Sequence, residues 1–318
     1  MLKAIIFLIV GFLLLVKGAD YFVDGASSIA KKLRIPSFVI GLTIVAFGTS
    51  APELAVSLSA ALKGSNDIAI GNVVGSNIFN TLVVLGASAA ITPIAVEKGI
   101  IKKDYPLSIF VSILLGILSL DIFLFHAPAM TLGRIDGIIL LAVFAFFMYT
   151  TLKDGFKHRS ESKETEGNQN ISLWKSIFIC IIGLAGIIIG GDLSVDGAKE
   201  IARAFGLSEA LIGLTIVAFG TSLPELVTSI IAAKKGESDI AVGNVIGSNI
   251  FNILLILGLS ATILPMSVSN TYLYDIVILI IIMIATFIPI AKTKKVGRGM
   301  GVTMIITYIL YTAYLISR

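Results

Sequence analysis

Shifted against itself by 172 residues, the chain overlays its own second half without a gap, so any acceptable fold must house two copies of one unit. Gly18 and Asp20 fall on Gly190 and Asp192, and the run Val23 to Ala26 falls on Val195 to Ala198. IGLTIVAFGTS, Ile40 to Ser50, recurs unchanged as Ile212 to Ser222, and PEL follows shortly after each copy. Further along, GNVVGSNIFN (Gly71 to Asn80) matches GNVIGSNIFN (Gly243 to Asn252).

Composition says where the two units live. With 56% hydrophobic and 14% charged residues, the chain cannot cover itself with a water-solvated surface. It is a membrane protein. Apolar stretches able to cross a hydrocarbon core of ~30 Å, which takes ~20 helical residues, are predicted near 2 to 18, 36 to 62, 67 to 93, 105 to 125 and 133 to 152. Their counterparts lie near 174 to 190, 208 to 234, 239 to 265, 275 to 291 and 300 to 317. Lys153 to Asn170 reads as a solvated, flexible linker. The expected organisation is a first five-helix repeat (1–152), a linker (153–173) and a second five-helix repeat (174–318). An odd number of crossings forces the second copy to enter from the opposite side. The fold class is therefore all-α, with ten transmembrane helices arranged as two inverted repeats, a design used by secondary transporters. The opening run resembles a secretory signal, but no A-x-A site follows and residues 176 to 192 repeat its pattern, so it is expected to be retained.

Basic residues orient the spans. Seventeen lysines and arginines, among them Lys31, Lys98, Lys103, Lys153, Lys235 and Lys295, fall on one side. Six (Lys3, Lys63, Arg134, Lys199, Arg203 and Arg318) fall on the other, with Lys17 near a helix end. The richer side is predicted cytoplasmic, which places both termini outside a cell membrane and the linker inside. A net charge of only +4, accounted for by this bias, does not imply a nucleic-acid partner. Cys180 has no second cysteine to pair with, and His126 and His158 lack metal-ligand spacing. No Walker-type phosphate loop occurs, so neither ATP coupling nor a cofactor is expected.

Two carboxylates break the apolar pattern. Glu53 and Glu225 fall near the centres of the second and seventh spans, where a charge costs roughly 2.5–3.5 kcal/mol and no lysine or arginine lies at matching depth. Either a bound cation neutralises them, or they are protonated and hydrogen-bonded within the bundle. Each closes the motif G-T-S-x-P-E. Pro52 and Pro224 remove the helical partners of the Gly48 and Gly220 carbonyls, so the helix is expected to break. Non-helical backbone at that depth fits a polar cavity lined by carbonyls and by the hydroxyls of Thr49, Ser50, Thr221 and Ser222, although a simple proline kink would leave the same mark.

In the next spans Asn72, Ser76 and Asn80, and equally Asn244, Ser248 and Asn252, recur at i, i+4, i+8 and form one polar stripe. Interhelical hydrogen bonding is the alternative use for it. Gly71 and Gly75, with Gly243 and Gly247, make small-xxx-small packing surfaces, and Asn77 and Asn249 lie off the stripe with a structural role. Asp20, Asp24, Asp192 and Asp196 follow the first and sixth apolar runs and are read as interfacial or vestibular.

The pooled donors are oxygens only, which is hard-cation chemistry. Calcium accepts six to eight oxygens at ~2.3–2.6 Å in adaptable geometry, and two glutamates balance one divalent or two monovalent ions. Calcium and sodium competing for the same oxygens would couple their movements.

These paired motifs resemble those of the sodium/calcium exchangers in the cation/calcium antiporter superfamily, whose two alpha-repeats carry G-T-S-x-P-E/D and G-N-x-x-G-S-N. The resemblance spans nearly the whole chain. It implies a ten-helix antiporter in which Glu53 and Glu225 are shared by Ca2+ and Na+. Thr49, Ser50, Ser76, Thr221, Ser222, Ser248 and the Ala46 and Ala218 carbonyls would assist. It also implies three sodium ions per calcium, and first and sixth helices that slide against the rest. Some relatives, including the potassium-dependent exchangers, carry aspartate where this chain has Asn252. Asn80 and Asn252 are both neutral here, as in the potassium-independent animal exchangers, which argues against potassium co-transport and leaves two formal charges at the centre. A proton/calcium exchanger is the nearest alternative. A cation channel would make poor use of an inverted duplication, and an intramembrane enzyme would need a nucleophile with a base, or paired histidines.

Overall fold

The computed structural model describes residues 2–120, 130–161, 172–206 and 218–317. Ten helical segments are present among them. They are α1 (Leu2–Leu33), α2 (37–62), α3 (66–91), α4 (98–118), α5 (Arg134–Glu161), α6 (Leu173–Ala204), α7 (218–234), α8 (Ser238–Ile263), α9 (Asn270–Thr293) and α10 (Arg298–Ser317). Seven of them are long and apolar enough to cross a membrane, and the bent α2 makes eight. Parts of three expected spans or connections (121–125, 162–170 and 208–217), and His126, lie outside the described residues.

Packing follows the duplication. α1 and α6 run antiparallel, with Gly25 against Cys180, Gly18 against Gly183 and Ile187, Gly11 against Gly190 and Ser194, and Gly197 against Ala4 and Leu8. Small residues let the two backbones touch, as membrane helices require in the absence of a hydrophobic force between them. Moving one partner up by 172 and the other down by 172 returns another observed contact. The pair Gly25–Cys180 becomes Leu8–Gly197, and Gly11–Gly190 becomes Gly18–Gly183. Two short antiparallel ladders tie the helix ends. One pairs Ile94 with Val296 and Ala95 with Lys295; the other pairs Thr131 with Ser267 and Leu132 with Met266. Both ladders join loops that the sequence places on one side of the membrane. So do the ion pairs Lys31–Glu237, Lys235–Asp20 and Lys103–Asp154.

Burial sorts the helices into centre and rim. The most apolar window of α8 is 94% buried, against 11% for that of α10, whose exposed Ile306, Ile309 and Leu310 suit a lipid-facing surface. Gly243 and Gly247 lie against Phe38 and Leu42 of α2, which accounts for the close approach expected of them. Among the described residues Gly71 faces the Tyr272 ring and Gly75 meets nothing within 4 Å.

Four boundaries differ from the sequence reading. α1 and α6 do not end with their apolar runs but continue to Leu33 and Ala204, because Phe22, Val23, Ala26, Ile29 and Ala30, and likewise Ser194, Gly197 and Ala202, keep a buried stripe going. Lys153 to Glu161, expected as flexible linker, extends α5. Gly155 there packs on Ile35 and Val39, and Asp154 pairs with Lys103. The fourth helix begins at 98, with a π-helical turn over Ile100–Asp104, since Ile100 and Tyr105 are both fully buried.

Candidate cation site

Both G-T-S-x-P-E motifs break their helices at the same residue. Ser50 (φ −83°, ψ 7°) and Ser222 (φ −93°, ψ 7°) sit in the bridge region, and the two arms of α2 meet at 50°. Each proline then opens a new helix, Ala51–Leu62 or Leu223–Lys234, at a position where its missing N–H costs nothing. Glu53 and Glu225 therefore lie in the first turns of these helices, at positive dipole ends that favour a carboxylate. Both are fully buried.

The halves are cross-connected through these acids. Ser50 Oγ donates to Glu225 Oε1 at 2.9 Å, and Ser222 Oγ donates to Glu53 Oε1 at 2.9 Å. Ser248 Oγ lies 3.4 Å from Glu225 Oε1, and Ser76 Oγ lies 3.2 Å from Ser222 Oγ. Thr49 reaches Asn244 Oδ1 at 3.0 Å, and Thr221 reaches Asn72 Oδ1 at 3.4 Å. The amides of Asn72 and Asn244 continue to Ser57 and Ser229, and to the backbone carbonyls of Glu53 and Glu225. These two stripe asparagines thus spend their side chains on holding the broken helices. The Ala46 carbonyl accepts the Ser50 N–H at 3.0 Å, and Ala218 opens the short helix ending at Thr221.

Several buried polar atoms have no hydrogen bond within the protein. They include Glu53 Oε2, Glu225 Oε2, both amide atoms of Asn80, and Asn252 Oδ1. Buried polar atoms are ordinarily partnered, so an unshared oxygen on each of two buried carboxylates, with unshared amide atoms one turn beyond Ser76 and Ser248, has the composition of a cation site. None of the ion pairs among the described residues involves Glu53 or Glu225. No group of three or more His, Cys, Asp or Glu suited to a metal occurs among them either. The donor set is two carboxylates plus neutral oxygens, which fits calcium or sodium as cargo.

Asn80 and Asn252 lie one turn beyond Ser76 and Ser248, and each opens a π-helical stretch, Asn80–Val84 and Asn252–Leu257. Such widened turns often mark functional positions, but they leave no signature in residue spacing. The sequence pattern gives Asn77 and Asn249 a structural role. They meet each other across the midline, Asn77 Nδ2 donating to the Asn249 carbonyl at 3.1 Å. The repeat itself signals this, since two positions 172 apart can touch only on the axis relating the halves.

Asp192 and Asp196, with Lys199, Pro52 and Thr221, line a cavity of about 390 Å³ beside the second break. The mirrored Asp20 and Asp24 are engaged instead by Lys235 at 2.7 Å, while Ser27 and Lys31 bind Glu237.

Fold and site together define a helical membrane protein with an acidic, oxygen-lined centre. The family model for sodium/calcium exchanger protein matches residues 3–153 and 175–317, and the chain belongs to that family, one of transporters rather than enzymes. It is 41% identical to the putative antiporter CaxA of Alkalimonas amylolytica over the full length of both, and 36% identical to the sodium/calcium exchanger MaX1 of Methanosarcina acetivorans over 97% of each. Among solved structures, the sodium-calcium exchanger NCX_Mj soaked with 10 mM Na+ and 10 mM Sr2+ aligns over 98% of both chains, with a TM-score of 0.85 and 36% identity.

Proposed function

We propose that this protein is a secondary antiporter that exchanges Na+ for Ca2+ across the cell membrane by alternating access to one central site. Ten crossings form two inverted five-helix repeats (1–152 and 174–318), joined by a cytoplasmic connection (153–173), with both termini outside. Glu53 and Glu225 carry the charge of the site. Ser50, Ser222, Ser76, Ser248, Thr49, Thr221, Asn80, Asn252 and the Ala46 and Ala218 carbonyls supply neutral oxygens. Calcium and sodium compete for these, and that competition couples the fluxes.

One observation carries the reading: each buried glutamate is bonded to the break-point serine of the other half, which makes a single shared centre of the two motifs. The unequal ends of the molecule support alternation. A cavity lies at the Asp192 end, and lysine ties close the mirrored Asp20 end. With the lysine-rich side cytoplasmic, this conformation is open outward.

Reconstituted vesicles test the proposal. Calcium-45 uptake is expected to require an outward sodium gradient. Uptake driven equally well by a proton gradient without sodium would replace sodium by protons as the coupling ion, and single-channel currents would replace exchange by conduction.

A further inference from the structure

Four residues around the midline make the two halves inequivalent. Asn77 Nδ2 donates to the backbone carbonyl of Asn249 at 3.1 Å. A carbonyl can only accept, so the orientation of the Asn77 amide is fixed and its Oδ1 is an acceptor. Asn252 Nδ2 lies 3.0 Å from that oxygen, so Asn252 must present its NH2 there and turn its own Oδ1 away. That Oδ1 is fully buried, has no bond within the protein and lies one turn beyond Ser248, which contacts Glu225.

The mirrored bond, Asn80 Nδ2 to Asn249 Oδ1, is not made; both Asn80 amide atoms and Asn249 Oδ1 are without partners. One residue bonded there differs between the halves. Thr81 Oγ1 donates to the Asn77 carbonyl at 2.8 Å and accepts Asn249 Nδ2 at 3.0 Å, which draws the Asn249 amide away from the arrangement that Asn77 adopts. The position matching Thr81 is Ile253, which has no hydroxyl.

We infer that Asn77 is a positioning residue, which locks Asn252 with its oxygen available to the transported cation, and that Thr81 confines this lock to the second half. Asn252 is then a fixed oxygen donor and Asn80 an adaptable one. The inference rests on the proposed cation site and adds to it a residue outside the set of ligands.

A double-mutant cycle tests it, using the full chain in vesicles and calcium-45 uptake against a sodium gradient. Asn77→Ala and Asn252→Ala should each raise the calcium KM about five- to tenfold, the worth of one hydrogen bond, with kcat nearly unchanged. The double variant should be no worse than Asn252→Ala alone. A purely structural Asn77 would instead lower kcat or yield, and its effect would multiply with that of Asn252→Ala; that result overturns the inference. If Asn252→Ala leaves KM unchanged, the placing of Asn252 in the site fails. If only Asn77→Ala leaves it unchanged, the positioning role alone fails. Should Asn77→Ala not fold, Thr81→Val decides, since Ile253 shows that an apolar residue fits the mirrored turn. It frees Asn249 to orient Asn80 in the same way and should lower the calcium KM at least about threefold. An unchanged KM overturns the inference.

Discussion

Replacing Glu225 with glutamine keeps shape and polarity but removes half of the central charge, and the effect should differ between the two ions. Glu225 is fully buried and has one carboxylate oxygen unshared, so it is a direct ligand candidate. At an effective dielectric of about 20, a unit charge about 2.4 Å from a divalent ion contributes roughly 14 kcal/mol of attraction, against roughly 7 for a monovalent ion. Desolvation of carboxylate and ion offsets most of this, at several kcal/mol each. If about a quarter survives, the variant loses about 3.5 kcal/mol of calcium affinity, or roughly 300-fold, and about 1.7 kcal/mol per sodium, or roughly 20-fold. Glu53→Gln should behave alike, because the two acids have matching partners. The assay is the concentration dependence of calcium-45 uptake and of sodium-22 exchange in the same vesicles. A calcium KM within about threefold of wild type, or equal losses for both ions, would refute the charge argument.

Other expectations come from packing and from the ends of the bundle. A Cβ at Gly183 would lie 2.4 Å from the Phe22 nitrogen, so Gly183→Ala should destabilise the α1–α6 contact by about 1–3 kcal/mol and lower the melting temperature in detergent. Gly299→Ala, with nothing within 4 Å among the described residues, should melt as wild type does, and equal melts for both would contradict the contact. Lys235→Ala removes two part-exposed ion pairs worth together about 1 kcal/mol. In a Cys180→Ala background, a cysteine at buried Val23 should then label severalfold faster from the lysine-rich side, and unaltered labelling would show that the ties do not hold that end shut. Asn252→Asp puts a carboxylate against the Asn77 acceptor and a third charge at the centre. It should shift competition among calcium, sodium and potassium, and unchanged competition would place the side chain outside the site.

The candidate site was legible in the sequence because its chemistry is expensive. A carboxylate after a glycine- and proline-rich break inside an apolar span stands out, and its duplication at offset 172 removes chance. Glu53, Glu225 and the four break-point hydroxyls of Thr49, Ser50, Thr221 and Ser222 were all available in that way. The lengths of α1 and α6 were hidden because Asp20, Asp24, Lys31 and Lys32 look like the end of a span, while the stripe from Phe22 to Ala30 stays buried beneath them. Their packing seam was in plain view as Gly11, Gly18 and Gly25, with Gly183, Gly190 and Gly197, each spaced by seven residues. The π-helical turns at Asn80 and Asn252 and the amide relay through Asn77 were not readable. Both depend on hydrogen-bond directions rather than on residue spacing.

The duplication supplies two equivalent ends, yet the residues that close them are not equivalent. Lys235 binds Asp20 and Asp24, and the same geometry at the other end would bring Lys63 to Asp192 and Asp196. The second tie has no such image: Ser65 stands where Glu237 stands, and Lys199 and Arg203 stand where Ser27 and Lys31 stand. The residue matching Glu237 there is neutral, and Lys199, which pairs with Asp196 at 3.5 Å, stands in place of a serine. A closure of the Asp192 end built on the same geometry would therefore lack the ties that Glu237 makes at the Asp20 end. If the site is served by alternating access as proposed, this inequality would favour the conformation with the Asp192 end open when no ion is bound, and differential binding of the cargo would have to supply the free energy of the switch.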